Sequence, residues 1–252
     1  MRRLAVAVTA ALGLLAGLAL GAPLHPAPGA LFHHALAAPS HHAQGASNPQ
    51  AGDDLGLVGG ESQAALRSPE SFADIADDAE RGAAIFTEMG RVLTHPRCVN
   101  CHPSGDRPLQ GEDGHPHEPS AARGRNGFGP PGMRCSTCHT SENVALPGVA
   151  QDFSVPGNPS WHLAPAEMAW EGLSVAEICA QMTDPERNGG MSLDEIVEHL
   201  ASDSLVGWGW QPGAGRQPPP GNQQQLGLLA RAWAEAGAAC PPAAIAGEAS
   251  IR

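Results

Sequence analysis

The 252-residue sequence contains no tyrosine and, on inspection, no lysine, and its aromatic residues amount to only 4% of the chain. All 14 basic residues are arginines, which excludes Schiff-base chemistry and a P-loop phosphate site, because both require lysine. The formal net charge of −12 argues against binding to nucleic acid or to an anionic membrane surface, since binding to phosphates requires clustered cations. Acidic substrates are disfavoured for the same reason.

Glycine and proline are abundant where aromatic residues are scarce. The 31 glycines and 24 prolines approach the level at which low-complexity segments are expected. Part of the chain is therefore expected to lie outside a folded core. The remainder has few aromatic side chains with which to build one, so we expect another apolar group to contribute to it.

The N-terminus is typical of a secretory signal, because Arg2 and Arg3 precede an apolar run over residues 4–20. This predicts an exported, periplasmic protein with a signal peptide at residues 1–21; cleavage after Ala37 is the other option. An uncleaved membrane anchor is the alternative, since about 17 apolar residues reach the lower limit of a spanning helix. Loss of Arg2 and Arg3 changes the formal charge of the mature chain to −14.

Residues 22–70 are rich in alanine, proline and histidine and show neither helical nor strand periodicity, which predicts a disordered linker. Five histidines lie in this segment, so a metal-collecting arm is the alternative. They are His25, His33, His34, His41 and His42. We expect one domain over residues 71–242 and a flexible tail over residues 243–252.

Within that domain, helical periodicity and capping signals predict a mainly α, loop-rich fold with little or no β-structure. Apolar residues spaced as on one helix face predict a first helix that Pro96 ends, and capping boxes open two more, at Ser174 and Ser192. A last helix is predicted from about Asn222 to Ala236. The first helix carries Ile85, Phe86, Met89, Val92 and Leu93, and the last carries Leu226, Leu229, Ala230 and Trp233.

Two complete C-x-x-C-H sequences occur in the chain, and each is the attachment signal of a c-type haem. The first motif comprises Cys98, Cys101 and His102, and the second comprises Cys135, Cys138 and His139. The spacing lets two thiols reach the two vinyl groups of one porphyrin, while the adjacent histidine binds the iron. The sequence therefore predicts a single dihaem cytochrome c-type domain with two covalently attached haem c groups, whose porphyrins supply the missing apolar core.

The same cysteines have two other interpretations, a zinc site and a pair of redox dithiols. A histidine after both pairs favours haem, and so does export, because an oxidising compartment disfavours structural zinc thiolates. The remaining pair, Cys179 and Cys240, is expected to form a disulfide, with a redox-active pair as the alternative.

His102 and His139 are the predicted proximal iron ligands, whereas the motif leaves the distal ligands open. A distal histidine, a methionine or an empty position would determine whether each iron transfers electrons or binds small ligands. We favour His117, His162 and His199 as distal ligands, with Met168 in reserve. The other candidates considered are His95, His115, Met89, Met133, Met182 and Met191.

Several stretches around these motifs resemble a family of bacterial exported dihaem cytochromes described as subunits of isoquinoline 1-oxidoreductase. They extend from about Arg81 to Pro241. They are residues 95–98 (HPRC), 100–103 (NCHP), 105–106 (GD), 108–111 (PLQG), 133–135 (MRC), 161–163 (WHL), 188–190 (NGG) and 208–210 (WGW). The resemblance implies an electron-transfer subunit that accepts electrons from a molybdenum hydroxylase and passes them to a downstream acceptor.

The sequence thus predicts a periplasmic dihaem cytochrome that carries single electrons and performs no substrate chemistry of its own. Its expected partner is a redox protein with a basic docking face, a molybdenum hydroxylase by resemblance, rather than nucleic acid or a membrane beyond an uncleaved anchor. The alternative is a haem enzyme or ligand sensor with one five-coordinate haem, of a peroxidase-like kind.

Overall fold

The structure, a computed structural model, describes residues 65–146, 148 and 153–243. The predicted signal peptide, the linker up to residue 64 and the tail from residue 244 lie outside the described residues. Leu66 and Phe72, only 5% and 2% exposed, belong to the hydrophobic core, and a 3₁₀ helix spans Pro69–Phe72. The packed part of the chain therefore includes residues 65–70, which the sequence analysis places in the linker.

The predicted first helix is present as α1, Asp78–Leu93, and its apolar face is buried. The Asp77 side chain accepts a hydrogen bond from the Glu80 amide at 2.9 Å, which caps the helix start. The predicted stop is confirmed, since α1 ends at Leu93, three residues before Pro96, and His95 directly before the proline is extended. Pro96 also begins a short helix, α2, Pro96–Val99, where proline needs no amide partner and its fixed φ suits the first turn.

The capping boxes are confirmed at the starts of α3, Val175–Met182, and α4, Leu193–Ser202. A short helix that the sequence analysis did not predict, α5, Ser204–Trp208, follows, and the Asp203 side chain caps it. The predicted last helix is α6, Gln223–Glu235. Gly237 follows it with φ of +84°, a left-handed conformation that glycine adopts without strain.

The hydrophobic core lies where α6 packs against both α1 and α4. Phe86 of α1 and Trp233 of α6 meet there with ring centroids 4.9 Å apart, and neither side chain is exposed. Gly90 permits a close approach of α1 to α3, because a Cβ on it would lie 2.6 Å from a methyl carbon of Val175. This helical core anchors the long loops that carry the two motifs.

The strands within the described ranges form two small antiparallel hairpins. The strand β1, Leu109–Gln110, pairs with β2, His115–Pro116, and β3, Val144–Ala145, pairs with β4, Ser154–Val155. The prediction of a mainly α, loop-rich fold with little β-structure is therefore confirmed. Of the helices in the described part of the chain, none is both long and apolar enough to cross a membrane.

Cys179 and Cys240 form a disulfide, as predicted, and it connects α3 to the segment that follows α6. The two residues are 61 positions apart in the chain. Cys179 is fully buried in the hydrophobic core, so the bond lies against packed helices.

Replacing both cysteines of this disulfide by alanine should lower the free energy of unfolding by about 4 kcal/mol, because the crosslink restricts the unfolded chain. Urea denaturation followed by far-UV circular dichroism measures the change. A matched control is Leu228→Ala, since Leu228 is 50% exposed and its loss should change stability little. An unfolding free energy equal to that of the parent would contradict the prediction.

Candidate functional site

The first motif lies on α2 and the turn that continues it. The amide of Cys101 donates to the carbonyl of Cys98 at 3.1 Å, and the amide of His102 donates to that of Val99 at 2.9 Å. These i to i+3 bonds are typical of a 3₁₀ turn, in which residues three apart project from the same side. The two thiols are therefore presented together, with the histidine directly after them.

The second motif has the same local geometry, although no long helix precedes it. Cys135–Thr137 form a 3₁₀ helix, and the amides of Cys138 and His139 both donate to the carbonyl of Cys135, at 3.1 and 2.9 Å. The two motifs thus form the same kind of single turn. In each, two thiols three residues apart are followed by one histidine.

Both motif histidines are oriented by a main-chain carbonyl. Nδ1 of His102 lies 2.7 Å from the carbonyl oxygen of Met168, and Nδ1 of His139 lies 2.8 Å from that of Pro156. A carbonyl oxygen only accepts hydrogen bonds, so the proton lies on Nδ1 and the lone pair on Nε2. Histidines that bind metals are usually oriented in this way.

Tryptophan rings pack on both of these imidazoles. Trp170 stacks on His102 with ring centroids 3.7 Å apart and planes 6° apart, and Trp161 stacks on His139 at 4.7 Å and 12°. Trp208 meets Trp161 edge-on at 4.8 Å. The carbonyls and the indoles together restrict both position and rotation of each imidazole ring.

His117 lies beside His139, with ring centroids 5.9 Å apart and planes at 60°. Nδ1 of His117 donates to the carbonyl of Pro119 at 2.8 Å, so its Nε2 also carries a lone pair. Two imidazoles on opposite sides of one metal ion have centres about 6 Å apart, given metal–nitrogen bonds of about 2 Å. The spacing of His117 and His139 would therefore allow both rings to bind one metal ion.

Two cavities are lined by both His117 and His139. The large cavity, about 430 Å³, is lined by Cys138, Trp161 and apolar residues that include Phe153 and Val155. The small cavity, about 100 Å³, is lined by both thiol-bearing residues of the second motif, Cys135 and Cys138. Cys101 of the first motif lines both cavities, so the motifs are close in space.

Exposed large apolar side chains are concentrated around these cavities. Of the six such residues in the described ranges, five lie between residues 128 and 153; they are Phe128, Met133, Val144, Leu146 and Phe153. Met133 lines the small cavity, and Leu146 and Phe153 line the large one. Clustered apolar surface of this kind typically marks a ligand-binding region, and a porphyrin would cover it.

The surroundings of the first motif are more buried. Burial lowers the pKa of His102 to about 4, so the ring is neutral at neutral pH, which is the form that binds metals. Burial also raises the pKa of Cys98 to about 12 and that of Cys101 to about 11. The charges of His199 and Arg123 further lower the pKa of His102.

The other favoured ligands have distinct environments. His199 lies on α4, with Nδ1 3.3 Å from a carboxylate oxygen of Asp203. His162 lines the small cavity, donates to the carbonyl of Ser160 and stacks on Phe128 at 4.6 Å. The side chain of Met168 belongs to the hydrophobic core, and this residue reaches the site through its main-chain carbonyl.

Neither family models, nor curated proteins, nor solved structures match this chain. Within the described ranges, no group of three or more His, Cys, Asp or Glu side chains is arranged to hold a metal ion.

Sequence reasoning did not find several residues of this site. The carbonyls of Met168 and Pro156 have no signal in the sequence, since any residue provides a carbonyl. Arg97 and Arg216 also line the large cavity. Arg97 lies directly before Cys98, inside a stretch that carries the family resemblance. This position was the one sequence feature that could have identified Arg97 as a residue of the site.

Proposed function

We propose that the chain is an exported dihaem c-type cytochrome that carries single electrons. The observation that carries this proposal is the placement of His117 beside His139, with ring centroids 5.9 Å apart and Nδ1 of each ring bonded to a main-chain carbonyl. Two motifs in the same local turn, each with an oriented histidine, support covalent attachment at both.

The residues of the second motif would hold one haem, called here the second haem. Cys135 and Cys138 would form its thioethers, and His139 and His117 would bind its iron. The first haem would be held by Cys98, Cys101 and His102, with His199 as the distal ligand. Bound haem supplies reversible one-electron chemistry at iron, while the chain supplies binding, orientation and exclusion of water.

Electron transfer is favoured over catalysis for the second haem because two histidines leave no open iron position for a substrate. Cys101 and Cys135 line the same small cavity. The attachment points of the two haems would therefore be close, which supports electron exchange between them. The tryptophans Trp161 and Trp208 extend this packing away from His139.

A molybdenum hydroxylase is the electron donor that the family resemblance suggests, with a downstream acceptor still to be identified. The formal charge of −14 on the mature chain would become more negative with haem propionates. A partner that docks by charge should therefore present a basic face, and association should weaken as ionic strength rises.

The second candidate function, a haem enzyme or ligand sensor, depends on the first haem. The His199 side chain is 41% exposed, and its Nδ1 lies 3.3 Å from a carboxylate oxygen of Asp203. This exposure leaves the position of the His199 ring less restricted than that of His117. If His199 does not bind the iron, the first haem would keep an open position for a small ligand.

The whole chain, produced together with a bacterial haem-attachment system, should gain the mass of two haems and show low-spin spectra for both. Intact-protein mass spectrometry counts the haems, and optical spectra with and without carbon monoxide report open iron positions. An unchanged reduced spectrum under carbon monoxide is expected for a pure carrier. A shift accounting for one haem would favour the enzyme or sensor, and a protein without a Soret band would overturn haem binding altogether.

A further inference from the structure

Two arginines, Arg97 and Arg216, line the large cavity and are absent from the lining of the small one. The small cavity contains both cysteines of the second motif. The large cavity thus combines the open space beside His117 and His139 with two cationic groups. The proposed function gives no role to these two arginines.

Arg97 has an unsatisfied donor although its side chain is only 2% exposed. Its Nη2 donates to the carbonyl of Gly111 and pairs with a carboxylate oxygen of Glu112, both at 3.0 Å. Its Nε is buried and has no partner among the described residues. Because a buried donor without an acceptor is costly, this guanidinium is suited to receive an additional anionic acceptor.

Arg216 is held in place by Ser154, whose hydroxyl and carbonyl oxygens accept from Nη1 and Nη2 at 2.9 and 2.6 Å. Burial lowers the pKa of Arg216, and the positive charge of Arg97 lowers it further. Both cations line the large cavity, and Glu112 is paired with Arg97. Glu118 and His115 also line the cavity, and His115 is paired with Asp113 at 2.6 Å.

Arg216 lines the same cavity as His139, the proposed iron ligand of the second motif. The vinyl and propionate groups of haem are on opposite edges of the porphyrin. Cys135 lines only the small one of these two cavities, whereas Cys138 lines both. A porphyrin attached to these thiols would therefore have room for its carboxylate edge on the side of the large cavity. A guanidinium binds a carboxylate with two parallel hydrogen bonds, so one arginine can serve each propionate.

We propose that Arg97 and Arg216 form the binding site for the two propionate carboxylates of the second haem. This inference rests on the proposed function. Cations beside the haem favour its more reduced, less positively charged state. They therefore raise the midpoint potential of this haem relative to a site without them.

Arg97→Gln and Arg216→Gln should each lower the midpoint potential of one haem and leave the other unchanged. We expect about a tenfold rise in the ferric-to-ferrous ratio of that haem at a fixed potential, which corresponds to about 59 mV. Arg97→Lys, which keeps the charge, should retain most of the parent potential. Optical redox titration of the haem-loaded protein measures all three.

Arg231→Gln is the matched control, because Arg231 is exposed on α6 and does not line either cavity. Its loss of one positive charge should leave both potentials unchanged. If Arg97→Gln fails to fold, Arg216→Gln carries the test, since its side chain is only partly buried. A purely structural role for these arginines would lower stability and leave the potentials unchanged.

Two outcomes separate this inference from the function on which it rests. A parent protein without two haems would overturn the proposed function itself. A parent with two haems, together with both glutamine variants at the parent potentials, would overturn the propionate site alone.

Discussion

Replacing His117 by alanine is expected to convert the second haem from a low-spin, six-coordinate form into a high-spin form that binds carbon monoxide. His117 is the histidine whose ring lies 5.9 Å from that of His139, and alanine provides no ligand atom at that position. The low-spin signal of one haem should be lost in the paramagnetic spectrum, while that of the other persists. The optical spectrum of the reduced protein should shift on addition of carbon monoxide by the amplitude of one haem.

His162→Ala is the matched control for this variant. His162 lines the same small cavity, but its ring stacks on Phe128, and no ring contact joins it to His139 in the described structure. The His162 variant should keep both low-spin signals and show no response to carbon monoxide. The reverse result, a response in His162→Ala and none in His117→Ala, would exchange the roles of the two histidines.

Replacing Cys135 and Cys138 together by alanine should remove one of the two covalent haems, because both thioethers of the second haem are lost. Intact-protein mass spectrometry should show one haem instead of two, and a haem stain of the denatured protein should fall to about half. The free energy of unfolding should fall as well. Phe153 and Leu146, which are 49% and 36% exposed, would lose the porphyrin surface expected to cover them.

The double variant of the disulfide, Cys179→Ala with Cys240→Ala, is the control for cysteine loss as such. It should keep both haems, since these cysteines lie outside both motifs. A second control is the equivalent change at Cys98 and Cys101, which should remove the other haem. Two haems retained in the Cys135 and Cys138 variant would contradict the assignment of the second motif.

The low aromatic content has a consistent explanation under this proposal. Phe86 and Trp233 occupy the helical core, and Trp170, buried in the same core, also stacks on His102. Trp161 and Trp208 lie at or beside His139. Most of the large tryptophan side chains are thus used around the sites, where porphyrin would provide the remaining apolar surface. Under the proposed function, the low aromatic content and the haem sites would therefore have the same cause, since porphyrin would replace aromatic side chains as apolar surface.

The sequence alone determined the features that depend on short-range patterns. Helical spacing and caps determined α1, α3, α4 and α6, because each signal acts within a few residues. The motif spacing identified the paired thiols and the predicted proximal histidines in the same way. The disulfide followed from counting, since only Cys179 and Cys240 were left outside the motifs.

Only the tertiary structure distinguished His117 from the other histidines and brought Arg97 and Arg216 to one cavity. The loop between the motifs lacks periodicity, so its path depends on contacts between residues far apart in the chain. The guanidinium of Arg123, for example, donates to the carbonyls of Pro103, Gly105 and Ala164. No short sequence pattern predicts such contacts, because every residue has a main-chain carbonyl that can accept a hydrogen bond, whatever its side chain. Only the folded chain determines which of these carbonyls lies next to the guanidinium.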